Sequence, residues 1–198
     1  MIDPIRGARS ASDAKVGEPV QIVDPDPTWP AAFAAEAARI LAALGPHVLA
    51  IEHVGSTAVA GLAAKPVIDI QVGVRSLEPT PDIVARLTAI GYAYVPEFED
   101  AMPYRRYFRR QRGRRRTHQI HVVERTNTDW WDRHVAFRDW LAAHPGDRDA
   151  YASLKRRLAA EHRDDRHAYT DAKSVFITRI VETALTARGR EPGPSGNR

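Results

Sequence analysis

The chain has 198 residues, 43% of them hydrophobic and 27% charged, the size and balance of one compact globular domain. No stretch approaches the roughly 20 uninterrupted apolar residues that span a bilayer, and the absence of cysteine excludes a disulfide framework, a thiolate nucleophile, zinc ribbons and iron–sulfur sites. The net charge is +4, yet eight arginines crowd positions 104–116 with no acid among them; setting those eight aside leaves −4 for the rest, so the basicity is local and suited to attracting phosphates.

Residues 1–18 carry no periodic apolar pattern and no apolar run of the kind found in secretory signals, and 188–198 has no large apolar residue. Both ends are expected to be loose and the chain to be cytoplasmic. The spacing predicts a first helix over 29–44, with Phe33, Ala37, Ile40, Leu41 and Leu44 on one face, Thr28 as its cap and Gly45-Pro46 as its stop. Residues 48–54 read as a strand, broken by the small-residue run Gly55-Ser56-Thr57. A second strand over 66–74 alternates, sending Ile68, Ile70, Val72 and Val74 to a core and Val67, Asp69, Gln71 and Gly73 to the opposite face. Thr80-Pro81-Asp82 opens a helix with Ile83, Leu87 and Ile90 on its stripe, and Gly91 closes it. Segments 104–110 and 116–124 flank a turn at Arg112-Gly113 and make an antiparallel hairpin with a basic tip. Three helices follow. Trp130, His134, Phe137 and Leu141 mark the first; Tyr151, Leu154 and Leu158 mark the second, after His144-Pro145-Gly146; the third covers 171–187 with Phe176, Ile177, Ile180, Val181 and Leu185. The predicted architecture is α+β: a mixed β-sheet lobe over 19–126 packed with a C-terminal helical lobe over 127–187.

Chemistry concentrates in 52–73. A strand ending in Gly55-Ser56 lets the backbone approach closely and offers N–H groups and a hydroxyl to phosphate oxygens. It is not a Walker loop, because five residues separate Gly55 from Gly61 and Lys65 is followed by Pro66. Asp69 lies on the polar face of a strand otherwise built for the core, where a carboxylate is costly unless it is hydrogen-bonded or holds a metal. A pairing with an arginine at the sheet edge is the alternative.

The segments GSTAVAGLAAKPVIDIQV, RTHQIHVVE, FRDWLAAHPGDRDAYASLKRRLAAE and AYTDAKSVFITRI together resemble the GrpB family (UPF0157), over residues 19–187. The resemblance implies a nucleotidyltransferase-like fold, whose signature is a Gly-Ser or Gly-Gly pair, a short gap, a strand bearing Asp-x-Asp/Glu, and a third carboxylate on a later strand. By position, Gly55 and Ser56 match the phosphate-gripping pair and Asp69 the first metal carboxylate. The resemblance thus implies Asp69 and Ser56 as catalytic groups, with Gly55, Ser56, Thr57, Lys65, Arg105, Arg106 and Lys173 as nucleotide contacts. Gln71 stands where the second carboxylate is expected, and Ala60 where the family usually has proline.

Alternation on the later strand suggests the third ligand. If Ile120 and Val122 share the core of Ile68 and Ile70, then Gln119, His121 and Val123 lie on the face of Asp69 and Gln71. Asp69, Gln71 and His121 are therefore the candidate metal ligands, for Mg²⁺ or Mn²⁺ beside a nucleoside triphosphate. One carboxylate, one amide and one imidazole make a poor pair of magnesium sites, so a softer metal or none is the alternative, and for His121 a simple bond to a neighbour is equally open.

Lys155 reads as part of a solvated helix face, and Lys173, at a helix start beside Tyr169 and Asp171, as a cation in need of an anionic partner. Arginines 112 to 116 suit phosphate capture or simple protection of a sheet edge equally. Trp130, Trp131, Phe137 and Trp140 read as core, and His118, His134 and His144 gain no role from spacing. Two functions follow from the resemblance: metal-assisted nucleotidyl transfer to a small acceptor, or a non-catalytic module that binds a nucleotide or coenzyme A precursor beside a kinase such as dephospho-CoA kinase. Nucleic acid binding through the hairpin ranks below both.

Overall fold

The structure, a computed structural model, describes residues 19–189. The segments expected to be loose, 1–18 and 188–198, lie outside the described residues apart from Arg188 and Gly189. The fold is α+β and its centre is a five-stranded mixed sheet. Strands β1 (Val48–Val54), β2 (Ile68–Val74), β3 (Ala93–Tyr94), β4 (Arg105–Arg112) and β5 (Arg115–Glu124) stand in the order β1-β2-β5-β4-β3. Only β2 and β5 run parallel; the other neighbours are antiparallel.

The parallel register sets the site. Ile70 pairs with Ile120 and Val72 with Val122, while Asp69 pairs with Gln119 and Gln71 with His121. One sheet face, with Ile68, Ile70, Val72, Phe108, Ile120 and Val122, packs under α1 (Trp29–Leu44) and α2 (Thr80–Ala89), whose Ile40, Leu44, Ile83 and Leu87 complete that core. The helix expected at 29–44 is present in full, and its stop at Gly45 has φ of 56°. Thr28 precedes it but makes no side-chain cap; its hydroxyl donates instead to Asp26 at 2.7 Å.

Four helices cover the other end of the molecule: α3 (Thr128–Ala143), α4 (Pro145–Glu161), α5 (Arg166–Ala172) and α6 (Ser174–Ala187). The single helix predicted over 171–187 is interrupted at Lys173, which ends α5 and precedes α6. Phe137, Leu141, Tyr151, Ile177, Ile180 and Val181 form the core of this lobe. The link between lobes is the loop after β1. Val59, Leu62 and Ala63 from that loop are buried among the helices, and Ala64 bridges to Val23. Among the described residues no helix is long and apolar enough to cross a membrane.

Candidate functional site

Between the second sheet face, the loop after β1 and helices α3 to α6 lies a cavity of about 290 Å³. Seven lining residues are lysine or arginine and two, Asp69 and Asp171, carry carboxylates. The strands decide who faces it. Asp69, Gln119 and His121 point in from β2 and β5, and Arg105 and Tyr107 from β4.

Arg106 does not join them. Successive side chains of a strand alternate, so Arg106, paired with Val122, falls on the α1–α2 face. There it donates to the Thr80 hydroxyl and the Pro103 carbonyl, both at 2.8 Å, and lies 3.2 Å from Glu78 and 3.5 Å from Glu99. Arg110 follows the same parity and binds the buried Glu36 carboxylate at 2.8 and 2.7 Å. These two arginines of the basic hairpin are therefore structural. Arg116, by contrast, lines the cavity and donates to the Tyr107 hydroxyl at 3.2 Å.

Gly55 leaves β1 at φ of 70° and opens a short turn over Ser56–Ala58. A Cβ at Gly55 would fall against the Asp69 carboxylate, so backbone and acid meet without a side chain between them. Gly55, Ser56 and Thr57 all line the cavity. The Thr57 hydroxyl is committed, however, donating to the Val67 carbonyl at 3.1 Å and meeting His53 Nε2 at 3.0 Å. Asp69 accepts from the Gln119 amide. Burial pushes its carboxyl up to about 6, against the Gln119 hydrogen bond and the nearby Lys65 and Lys173 ammoniums.

Three lysines converge on the same space. Lys65 and Lys173 each lie over the Tyr169 ring, 4.7 and 4.4 Å from its centre. Lys155 lies 4.6 Å over Tyr151 and donates to the Ala63 carbonyl. Lys155 is only 2% exposed, so the expectation of a solvated helix face is wrong: it sits on the inward stripe of α4 with Tyr151 and Leu158. None of the three forms a salt bridge among the described residues. Burial pushes Lys173 down to about 8 and Lys155 to about 6, and holds Lys65 well below the usual lysine range, with Lys173 adding repulsion to the last two.

The residues expected to hold a divalent metal do not fit one. Gln71 is fully buried and lies outside the cavity, its amide N–H donating to the Trp131 carbonyl at 3.3 Å. His121 Nδ1 lies 3.0 Å from an Arg105 nitrogen. A guanidinium only donates, so Nδ1 accepts and the proton sits on Nε2; neither nitrogen is left for a cation. Burial and the Arg105 charge hold this imidazole neutral. Among the described residues no three His, Asp or Glu side chains are grouped to hold a metal ion, and the cations around Asp69 repel one.

This arrangement of turn, strand and helices has relatives. The sequence model of the family described as GrpB protein matches residues 19–183. The chain belongs to the GrpB family. It is 38% identical over 165 residues to UPF0157 protein YqkA of Bacillus subtilis strain 168, covering 83% of this chain and 47% of that protein, so it spans about half the length of that relative. The crystal structure of conserved protein GrpB from Enterococcus faecalis superimposes with a TM-score of 0.79 at 35% identity, over 86% of this chain and 100% of that one. A protein named dephospho-CoA kinase from Mycolicibacterium paratuberculosis is 32% identical over 185 residues, covering 80% of this chain and 44% of its own length.

In this GrpB protein the structure brings together Gly55, Ser56, Thr57, Lys65, Asp69, Arg105, His121 and Lys173, and leaves out Gln71 and Arg106. It also adds Trp130, Arg133 and His134 from α3, Lys155 from α4 and Arg166 and Tyr169 from α5. A signal for several was present. Trp130, His134 and Phe137, like Tyr151, Lys155 and Leu158, share one helical stripe, and a polar residue inside an apolar stripe faces inward.

Proposed function

We propose that this protein binds a phosphorylated small molecule, of the nucleotide or coenzyme A precursor class, in the cavity between its lobes. One observation carries the reading: the Lys65, Lys155 and Lys173 ammoniums are gathered there without salt-bridged carboxylates and are held below their usual charged range. A phosphate dianion at that point offsets the penalty of bringing them together. Lys65, Lys173 and Arg116 hold the phosphate beside the Gly55 turn, where the missing side chain lets the backbone close in. The placement of Gly55, Ser56 and Asp69 supports a nucleotidyltransferase-like ancestry. The donor set around Asp69 favours binding over metal-assisted transfer.

The kinship with a chain named dephospho-CoA kinase favours a coenzyme A precursor over a free nucleotide. Calorimetry with pyrophosphate, ATP and dephospho-CoA, in EDTA and then with Mn²⁺, tests the reading. Binding is expected in EDTA, and Lys173→Met is expected to weaken it about tenfold, the worth of one charge-assisted hydrogen bond. Silence from all three ligands, a strict need for Mn²⁺, or an undiminished affinity in Lys173→Met would remove it.

A further inference from the structure

The cavity continues from the phosphate end to a second set of buried donors. Asp69 pairs with Gln119, and His121 lies two residues further along β5, about 7 Å away at the usual strand rise. Beside His121 stands Arg105, 6% exposed and packed 5.1 to 5.6 Å from the rings of Phe98, Tyr107 and Trp130. Its Nε has no hydrogen-bond partner among the described residues. From α3 comes Arg133, 5% exposed, which enters no hydrogen bond or salt bridge among the described residues and whose Nε is likewise buried without one. Trp130, 4% exposed, has no hydrogen-bond partner for its indole N–H among the described residues.

All three side chains line the cavity, and the charges of both guanidiniums reach His134, which lines it with them. His134 is itself neutral, with burial pushing it down to about 4, and its Nδ1 donates to the Trp130 carbonyl at 2.8 Å. Among the described residues Arg133 has no carboxylate partner, and Arg105 forms no salt bridge, with only the Glu99 carboxylate acting on it from a distance. A buried guanidinium without an anion is destabilising, and its planar fork matches a carboxylate or a phosphoryl group through two parallel hydrogen bonds.

We infer that Arg105, Arg133 and the Trp130 indole N–H form a second oxyanion subsite, so that the bound molecule is two-headed, with one anionic head at the glycine turn and another against α3. This rests on the phosphate site proposed above, because it assigns both ends of the cavity to one ligand. The second head is a carboxylate or a phosphoryl group. Both present the oxygens that a guanidinium fork and an indole N–H recognise.

The test compares butylphosphonate, 4-phosphonobutyrate and 1,4-butanebisphosphonate by calorimetry on the full chain. Either two-headed probe is expected to bind at least tenfold more tightly than butylphosphonate, and whichever gains more identifies the second head. Arg133→Met is expected to erase that gain while costing butylphosphonate less than threefold, and to melt about 2–4 °C higher without ligand, because an unpaired buried charge has gone. A purely structural arginine would not raise the melting temperature. Should Arg133→Met fail to fold, Arg133→Lys keeps the charge, loses the fork and is expected to lose most of the gain. If butylphosphonate binds but neither two-headed probe binds better, or the gain survives both variants, the subsite is refuted and the phosphate site stands. If no probe binds at all, both are refuted.

Discussion

Gly55 and Asp69 share the same few ångströms, and their closeness can be measured. At φ of 70° any side chain at Gly55 is strained, and its Cβ would press on the Asp69 carboxylate. Gly45, at φ of 56°, has nothing within 4 Å of the same atom. Gly45→Ala is therefore expected to cost about 1 kcal/mol from backbone strain alone, and Gly55→Ala about 1–2 kcal/mol more. Urea denaturation of Gly55→Ala in the Asp69→Ala background separates the two terms. There the extra cost is expected to vanish; if it persists, the glycine is required by its backbone and not by the acid. The same contact explains why sequence alone could place Asp69 on the polar strand face but not against the turn: proximity between residues fourteen positions apart depends on how β1 meets β2, and the Val54–Asp69 pairing fixes that.

At the scale of elements, parity was the most informative signal and the most easily overlooked. Alternation correctly put Gln119 and His121 on the face of Asp69, yet the same rule separates Arg105 from Arg106, which the sequence reading grouped together. Arg106→Ala is expected to destabilise the fold by about 2 kcal/mol, through lost charge-assisted bonds to Thr80, Glu78 and Glu99, and to leave pyrophosphate affinity unaltered. Thermal melting beside calorimetry checks both halves; a loss of affinity without a loss of stability would return Arg106 to the site. The helices were legible as stripes, and α1 is present over its whole expected length. That their inward cations face a cavity was not legible, because a stripe shows which residues turn inward and not whether a core or an open space awaits them. Lys155 and Arg133 make the point: each sits at core spacing, and only the packing of α3 against β1 and of α4 against α3 and the loop after β1 shows that the space in front of them is open. The short β3 and the break at Lys173 carry too few residues for any period to show.

For the whole molecule, the cavity is expected to make stability and anion binding depend on pH in opposite directions. Lys155 at about 6, Lys173 at about 8 and Lys65 well below the usual lysine value all release protons in the folded state at lower pH than in the unfolded chain. Between those values and 10.5 the unfolded chain binds more protons, so stability rises with pH. Asp69 works the other way only between 3.8 and about 6, and His53 and His134, both pushed down to about 4 by burial, add a rise that ends near 6.5. From pH 7 to 9.5 the lysines dominate, and the free protein is expected to become more stable across that range. A bound dianion reverses the repulsion and draws protons back onto the lysines. Sulfate, whose charge is constant from pH 5 to 9, isolates this effect from titration of the ligand. Its affinity is expected to fall as pH rises, and at pH 7.5 its binding should take up protons, seen as a dependence of the calorimetric enthalpy on the ionisation enthalpy of the buffer. Lys155→Met should lose part of that uptake and flatten the rise in stability above pH 7. Proton release on sulfate binding, or an uptake that Lys155→Met leaves whole, would show that the lysines do not face the anion.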